Sequence, residues 1–333
     1  MKYGILCGGF SHEREISLKS AESILSCLRE NACAVTCADP LLIADQVFDE
    51  KIFTARQRPL PRFPQQRHHY WQALQYFRQQ EVDVVILALH GGEGEDGRVQ
   101  ALLEMAGLPY TGSGPLASGL AMNKHLSKQL VAFEGIKTAP WHLVDNTDNL
   151  PALTTAEQWV VKGNNQGSSV GLSIIDDPSE LAAACAHALQ SDHQVLIETY
   201  IAGRELTVGV LDGKALPVLE IVPQSGLYDF HHKYTKGASE YLVPAPIDSE
   251  TARQLQKSSE QIWQILQLSG YARIDFRLTT DNQFYFLEAN TLPGMTDLSL
   301  FPMAAKAVDI DFFKLLTMLT ELASQRFQGL KNG

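Results

Sequence analysis

Apolar positions in the first third of the chain alternate between two rhythms. Tyr3 to Leu6 is a short apolar run that ends at Gly8-Gly9. Ile16, Ser20, Ile24 and Cys27 or Leu28 then share one face of a helix that Ser11 can cap. Val84 to Leu89 is continuously apolar, as expected of a strand buried on both faces. It ends at His90-Gly91-Gly92, and a helix is predicted over Val99 to Met105. Strand, loop and helix in repetition predict a parallel α/β unit, with its site at the C-terminal ends of the strands. The Pro-, Gln- and His-rich stretch 59–70 reads as a surface excursion.

From about Thr111 the pattern changes. Ser118 to Ala132 has helical character, and Trp159 to Lys162, Val195 to Glu198, Glu205 to Leu211 and Leu216 to Ile221 read as strands. Pro178, with Asp177 as N-cap, opens an alanine-rich helix to Leu189. Ala252, Leu255, Ser259, Ile262 and Leu266 line up on a long amphipathic helix before Gly270. Two strands follow, Tyr271 to Leu278 and Phe284 to Asn290, and a last helix starts near Asp311.

Composition narrows the classes. The chain has 333 residues, 45% of them hydrophobic, enough for two or three domains with a sizeable core. Thirty-eight acidic against 27 basic residues give a net charge of −11, which argues against a nucleic-acid or anionic-membrane partner. A few well-placed cations still suffice for a small anionic substrate. The five cysteines have no paired CxxC spacing and read as free thiols of a reducing compartment. No run of 18 apolar residues occurs, so no membrane span and a cytoplasmic location are expected.

Chemistry concentrates in a few places. With a strand period of two, Arg273 and Asp275 share a face, as do Glu288 and Asn290. If these strands pair, Asp275, Glu288 and Asn290 converge as hard oxygen donors suited to Mg²⁺, or else form a solvated face around an Arg–carboxylate pair. Lys162 enters a loop rich in Gly and Ser (residues 163–171), which can cradle phosphate oxygens or be a plain surface hairpin. Gly92, Gly94 and Gly97 spell GxGxxG, but Glu95 and Asp96 among them would repel a pyrophosphate. Those glycines are expected instead to shape a loop presenting His90 and Glu95. Residues 228–234, aromatic and polar without a clean period, read as a lid or ordered loop, and the adjacent His231 and His232 as solvated loop residues. Backbone N–H groups at Pro293-Gly294-Met295-Thr296 can face an oxyanion beside Arg273, or simply make a strand-to-helix turn.

In order along the chain these pieces are Gly8-Gly9 with Glu13-Arg14-Glu15-Ile16-Ser17, Leu89-His90-Gly91 with Gly94-Glu95-Asp96-Gly97, and Pro109 to Gly114. After them come Lys124, Gly167-Ser168-Ser169-Val170-Gly171, Gly203 to Val208, Tyr228-Asp229 with Lys233-Tyr234, Arg273-Ile274-Asp275-Phe276 and Glu288 to Thr296. Nearly the whole chain thus resembles the D-alanine–D-alanine ligases of the ATP-grasp superfamily. The resemblance implies an α/β fold with α+β character in the ATP-grasp part. It implies three units: an N-terminal parallel-sheet domain (1–117), a central domain (118–208) and a C-terminal domain (209–333). It implies ATP, two Mg²⁺ ions (Mn²⁺ as a substitute), D-alanine as substrate, a homodimer and a role in peptidoglycan precursor synthesis.

The resemblance also assigns residues. Lys124 and Lys162, with Ser169 in the loop, look like the phosphate contacts, Glu198 and Ile201 the adenine contacts, and Glu205 the ribose contact. Asp275, Glu288 and Asn290 match the metal ligands. Glu15, linked through Ser168 and Tyr234, looks like the holder of the first D-alanine's amino group. His90 is expected at the substrate, Lys233 and Ser299 at the second D-alanine's carboxylate, and Arg273 with the Gly294 amide at the oxyanion. Four positions depart from the family pattern: Gly163, Gln166, Asn123 and Phe230 stand where proline, glutamate, aspartate and tyrosine are usual. Gly163 is expected to loosen the phosphate loop and weaken ATP binding. Tyr234 favours an amine acceptor over the hydroxyl of D-lactate. A related ligase with another acceptor, or a nucleotide-binding paralogue without turnover, are the alternatives.

Overall fold

β1 (Lys2–Leu6) lies between β2 (Ala34–Ala38) and β3 (Val84–Leu87) in a parallel sheet. The computed structural model describes residues 1–60, 68–154, 157–168, 171–223, 239–296 and 299–332. Every residue of β3 is buried, as its unbroken apolar run requires. Helix α1 (Arg14–Glu30) turns Ile16, Ser20, Ile24 and Leu28 inward, the predicted face. Its start differs from expectation. Ser11 does not cap it; the Ser11 hydroxyl donates to the His90 carbonyl and accepts the Glu13 N–H at 3.1 Å. That pins the α1 entry to the loop after β3.

A short helix α2 (Glu50–Thr54) is followed by α3 (His68–Gln79), whose His69, Tyr70, Ala73, Leu74 and Phe77 are buried. The predicted surface excursion therefore ends by His68, because a helical apolar period begins there; residues 61–67 lie outside the described residues. α4 (Arg98–Ala106) is bounded by Gly97 and Gly107, both left-handed.

The single helix predicted over Ser118 to Ala132 is two helices, α5 (Pro115–Met122) and α6 (Lys124–Phe133). Asn123 takes an extended conformation between them, and its carboxamide accepts the Leu126 N–H at 3.0 Å. Asparagine thus serves as the N-cap as well as an aspartate would. An antiparallel sheet follows, ordered β4-β7-β5-β6, from β4 (Trp141–Val144), β5 (Trp159–Gly163), β6 (Ser173–Ile175) and β7 (Val195–Thr199). Pro178 opens a 3-10 turn rather than the α-helix itself, with Asp177 accepting the Ser179 N–H at 2.8 Å. α7 (Leu181–Ala188) comes next and covers β5.

The last sheet is antiparallel, ordered β11-β10-β8-β12-β13, with β9 (Lys214–Ala215) beside β8 (Arg204–Leu211). Its other strands are β10 (Leu219–Pro223), β11 (Ser239–Leu242), β12 (Tyr271–Leu278) and β13 (Phe284–Asn290). The bounds of β12 and β13 are those predicted. α8 (Ser249–Ile265), capped by the Asp248 carboxylate, packs Leu255 and Ile262 beneath. A division at 208/209 would cut β8 in mid-strand, so the central and C-terminal sheets part instead in the linker between Thr199 and Arg204. Helices α9 (Leu300–Lys306) and α10 (Phe312–Asn332) return to the first sheet, where Phe301, Leu315 and Leu319 share the core of Ile5 and Leu87. Among the described residues no helix is long and apolar enough to cross a membrane.

Candidate active site

The cleft begins where β1 ends. The Gly8 N–H donates to Ser17 Oγ at 2.7 Å and the Gly9 N–H to Asp39 Oδ1 at 3.1 Å. Arg14 pairs with Asp39 in full burial and donates to the Gly9 carbonyl. These contacts set the first turn of α1 and leave Glu13, just ahead of it, aimed across the cleft, where its carboxylate accepts the Ser168 hydroxyl. Gly91 makes room: at φ +66° a Cβ would sit 2.4 Å from Glu13 Oε2. Only glycine tolerates both the backbone and the approach.

This corrects one assignment. Glu15, expected at Ser168, is half exposed and lies 3.5 Å from Arg56 on the outer side of α1. Two residues further along a helix is about 200° round its axis, so Glu13 and Glu15 cannot face the same way. Glu13 takes the place expected of Glu15.

His90 and Glu95 complete this wall. His90 Nε2 is 3.1 Å from Ser20 Oγ, which also accepts the Met295 N–H at 3.2 Å. Burial, helped by Arg273, lowers the imidazole to about 4, so it is neutral. Glu95 Oε2 accepts the Gly91 N–H at 3.1 Å, and burial together with Glu13 pushes its carboxyl up to about 8. The glycines of the GxGxxG stretch, together with Gly91, shape this loop; Gly91 and Gly97 have positive φ.

The opposite wall is the β12–β13 hairpin. Arg273 pairs with Asn290 and Asp275 with Glu288 across the strands, so all four side chains share one face. Arg273 binds Asp275 in bidentate fashion, Nε to Oδ1 at 2.9 Å and Nη2 to Oδ2 at 2.8 Å. Thr207 Oγ1 donates to the same carboxylate at 2.6 Å. Lys124 Nζ lies 3.2 Å from Glu288 Oε2 and donates to the Gln166 carbonyl at 2.7 Å. Asn290 Oδ1 accepts the Leu292 N–H at 3.1 Å, and Ser299 Oγ accepts the Thr296 N–H at 2.9 Å next to Gly294.

Beneath, Lys162 Nζ meets Glu198 Oε2 at 2.6 Å and Lys128 Nζ meets Glu198 Oε1 at 2.7 Å. Burial alone would raise the Glu198 carboxyl, but Lys162 and Lys128 outweigh it and hold it down to about 2. The loop after Lys162 is fastened rather than loosened. Asn164 N–H donates to the Gln194 carbonyl at 2.9 Å, Asn165 N–H to Asp192, and Gln166 Nε2 to the Ser191 carbonyl at 2.6 Å. Gly163 permits that folding back, since a Cβ there would be 2.8 Å from Gln166 Cγ. Ile201 and Glu205 are both bound by Arg277, through its Nε to the Ile201 carbonyl at 3.2 Å and its Nη1 to Glu205 at 3.4 Å.

One cavity of about 450 Å³ gathers Glu13, His90, Glu95, Ser168, Arg273, Glu288, Asn290, Gly294 and Ser299. Asp275 stands behind it, held by Arg273. Ser169, Phe230, His231, His232, Lys233 and Tyr234 lie outside the described residues. Reasoning from sequence missed Glu13, Lys128 and Arg277. Lys128 and Arg277 had a periodic signal, four residues after Lys124 on one helix and two after Asp275 on one strand.

No cluster of three or more His, Cys, Asp or Glu side chains that could hold a metal occurs among the described residues; the candidate set is two carboxylates and an amide. That set fits Mg²⁺, which takes hard oxygens and completes its shell with water and phosphate. Arg273 and Lys124 supply the countercharge on these carboxylates.

A parallel sheet facing two antiparallel sheets, with lysines and hard oxygen donors between the latter, is the ATP-grasp arrangement. Residues 2–113 match the family described as D-ala D-ala ligase N-terminus and residues 130–321 the one described as D-ala D-ala ligase C-terminus. The chain belongs to the D-alanine–D-alanine ligase family. It is 40% identical to the D-alanine–D-alanine ligase of Syntrophotalea carbinolica over 98% of this chain and 97% of that one. To the ligase of Aquifex aeolicus it is 39% identical, over 96% and 99%. The crystal structure of the Bacillus anthracis ligase superposes with a TM-score of 0.80 at 31% identity over the whole of both chains. A structure of that ligase complexed with ATP gives 0.79 at 29%, again over all of both chains.

Proposed function

We propose that this chain joins two D-alanine molecules using ATP, giving D-alanyl-D-alanine, ADP and phosphate. The observation that carries the reading is the cavity in which Glu13 and Ser168 face Arg273, Gly294 and Ser299, with Glu288 and Asn290 also lining it and Lys124 at Glu288. It offers a carboxylate for an ammonium group, donors for two carboxylates and cations for a triphosphate.

Glu13, steadied by the Ser168 hydroxyl, holds the first D-alanine's ammonium. Its carboxylate then attacks the γ-phosphate of ATP, whose charge Lys124 and Lys162 offset. Asp275, Glu288 and Asn290 would hold the two magnesium ions, which would supply further countercharge to the phosphates. The acylphosphate gives a poor electrophile a leaving group. Ser299 and Lys233 hold the second D-alanine by its carboxylate, and its free amine attacks the acyl carbon. Arg273 and the Gly294 N–H stabilise the tetrahedral oxyanion, and phosphate departs. Neutral His90 gives the Glu13 wall a polar group without adding a second positive charge to the cavity it shares with Arg273. The five free thiols and the product suit a cytoplasmic role in peptidoglycan precursor synthesis, and the family resemblance supports a homodimer.

Purified protein with ATP, Mg²⁺ and D-alanine is expected to release one ADP and one phosphate per dipeptide. ATP binding without D-alanine-stimulated ADP release would replace this reading by a binding module. D-lactate, D-serine and L-alanine as competing acceptors settle the acceptor, with D-alanine expected to dominate.

A further inference from the structure

One fully buried charge takes no part in these steps. Lys128, on α6, has no exposed side-chain surface, and its ammonium sits 5.0 Å over the Trp141 ring and 2.7 Å from Glu198. Burying an ammonium is costly unless it is paired. Yet Glu198 already has Lys162 at 2.6 Å, so two cations share one buried carboxylate. Burial lowers Lys128, Glu198 only partly restores it, and the nearby Lys162 charge lowers it again. A static core has no need of the second cation.

The arrangement has a purpose if one lysine is to leave. Lys162 is the more accessible of the two, its side chain 14% exposed against none for Lys128. It stands at the strand end where the phosphates of ATP are proposed to lie. Without Lys128, Glu198 would be left as an unpaired buried carboxylate when Lys162 turns to them, a strongly unfavourable state. Lys128 cannot follow, because Trp141 and α6 hold it in place.

We infer that Lys128 is a positioning residue of the nucleotide pocket, the fixed counter-ion that keeps Glu198 paired so that Lys162 is free to engage ATP. This rests on the proposed placement of ATP at Lys162 and adds to it. Lys128 touches no substrate. It acts through Glu198, and its effect must therefore vanish when Glu198 carries no charge.

The test is a double-mutant cycle on ATP binding, read by calorimetry with Mg²⁺ and ATP on the parent, Lys128→Met, Glu198→Gln and the double variant. Lys128→Met is expected to weaken ATP binding about 10-fold, whereas the same change in the Glu198→Gln background shifts it less than about 2-fold. In steady state KM for ATP rises alongside, while kcat and KM for D-alanine stay within about 2-fold. Equal losses in both backgrounds, or none in the single variant, overturn the inference. If Lys128→Met alone does not fold, Glu198→Gln against the double variant decides, a difference above about 5-fold overturning it. Because binding is read without turnover, a chain that binds ATP by this cycle but makes no dipeptide refutes the ligase reading and leaves this one standing.

Discussion

On the cleft wall built by the parallel sheet, Glu13 and Glu95 are served by hydroxyl and backbone donors; on the wall built by β12 and β13, Asp275 and Glu288 each have a cation partner. Glu13 takes the Ser168 hydroxyl and Glu95 the Gly91 N–H. Asp275 takes Arg273, and Glu288 takes Lys124. The first wall depends on loop geometry, on a left-handed Gly91 and on where α1 begins. The second depends on the period of two antiparallel strands, with Lys124 reaching in from α6. A wall of the first kind holds a small ammonium group in a shaped place, whereas one of the second exchanges countercharge with incoming phosphate and metal.

The comparison breaks most visibly on the hairpin. Asp275→Ala or Glu288→Ala is expected to lower kcat by about 1000-fold or more, since each removes a proposed metal ligand and strands a cation. Melting monitored by circular dichroism should show the fold retained. Near-parental kcat in either variant would refute the metal role of this face.

On the other wall the decisive contrast lies within α1 and its entry. Glu13→Gln is expected to cut kcat/KM for D-alanine about 100-fold, because the charged acceptor for the ammonium is lost. Glu15→Gln, on the solvent side beside Arg56, should change it less than about 3-fold. Steady-state rates on both variants settle the matter, and the reverse ranking would restore the assignment made from sequence.

That pair also shows what the sequence carried and where it stopped. The hairpin face was legible residue by residue, because alternation puts Arg273 and Asp275 on one side whatever the partner strand does. Lys162 was legible as a cation entering a Gly- and Ser-rich loop. Which glutamate of Glu13-Arg14-Glu15 faces the cleft was not, because it turns on a single residue of helix phase. That phase is set by Arg14–Asp39 and by Ser11 on the His90 carbonyl, contacts spanning 25 and 79 positions. The fastening of the Gly163 loop likewise depends on Ser191, Asp192 and Gln194, partners about 25 to 30 positions further on that no local pattern announces. Fold class and strand bounds come from local period; site register comes from long-range contacts.

A smaller effect is expected at the linker between the two antiparallel sheets. Arg277 ties the Ile201 carbonyl, the Glu205 carboxylate and the Tyr200 hydroxyl to β12, with its guanidinium 5.5 Å from the Tyr200 ring. Arg277→Met keeps the stem and removes these bonds. KM for ATP should rise about 5-fold with kcat little changed, because Glu205 and Ile201 lose their support while Asp275 and Arg273 keep theirs. Substrate saturation curves for ATP and for D-alanine, run separately, check this. A change confined to D-alanine would show that the linker serves the other wall.

The smallest effect returns to Glu95. Its carboxyl, raised from 4.5 to about 8 by burial and by Glu13, keeps its proton in the folded chain while the unfolded chain releases its own. The folded state therefore binds more protons across that window, and this group's contribution makes stability fall as pH rises from about 4.5 to about 8. Glu95→Gln has no proton to lose, and its amide oxygen can still accept the Gly91 N–H. The variant should melt higher than the parent at pH 8 and close to it at pH 5. Thermal melts at both values read the difference directly. A gap independent of pH would mean that Glu95 ionises freely in the folded chain, and that its wall carries a second charge beside Glu13 as the hairpin wall does.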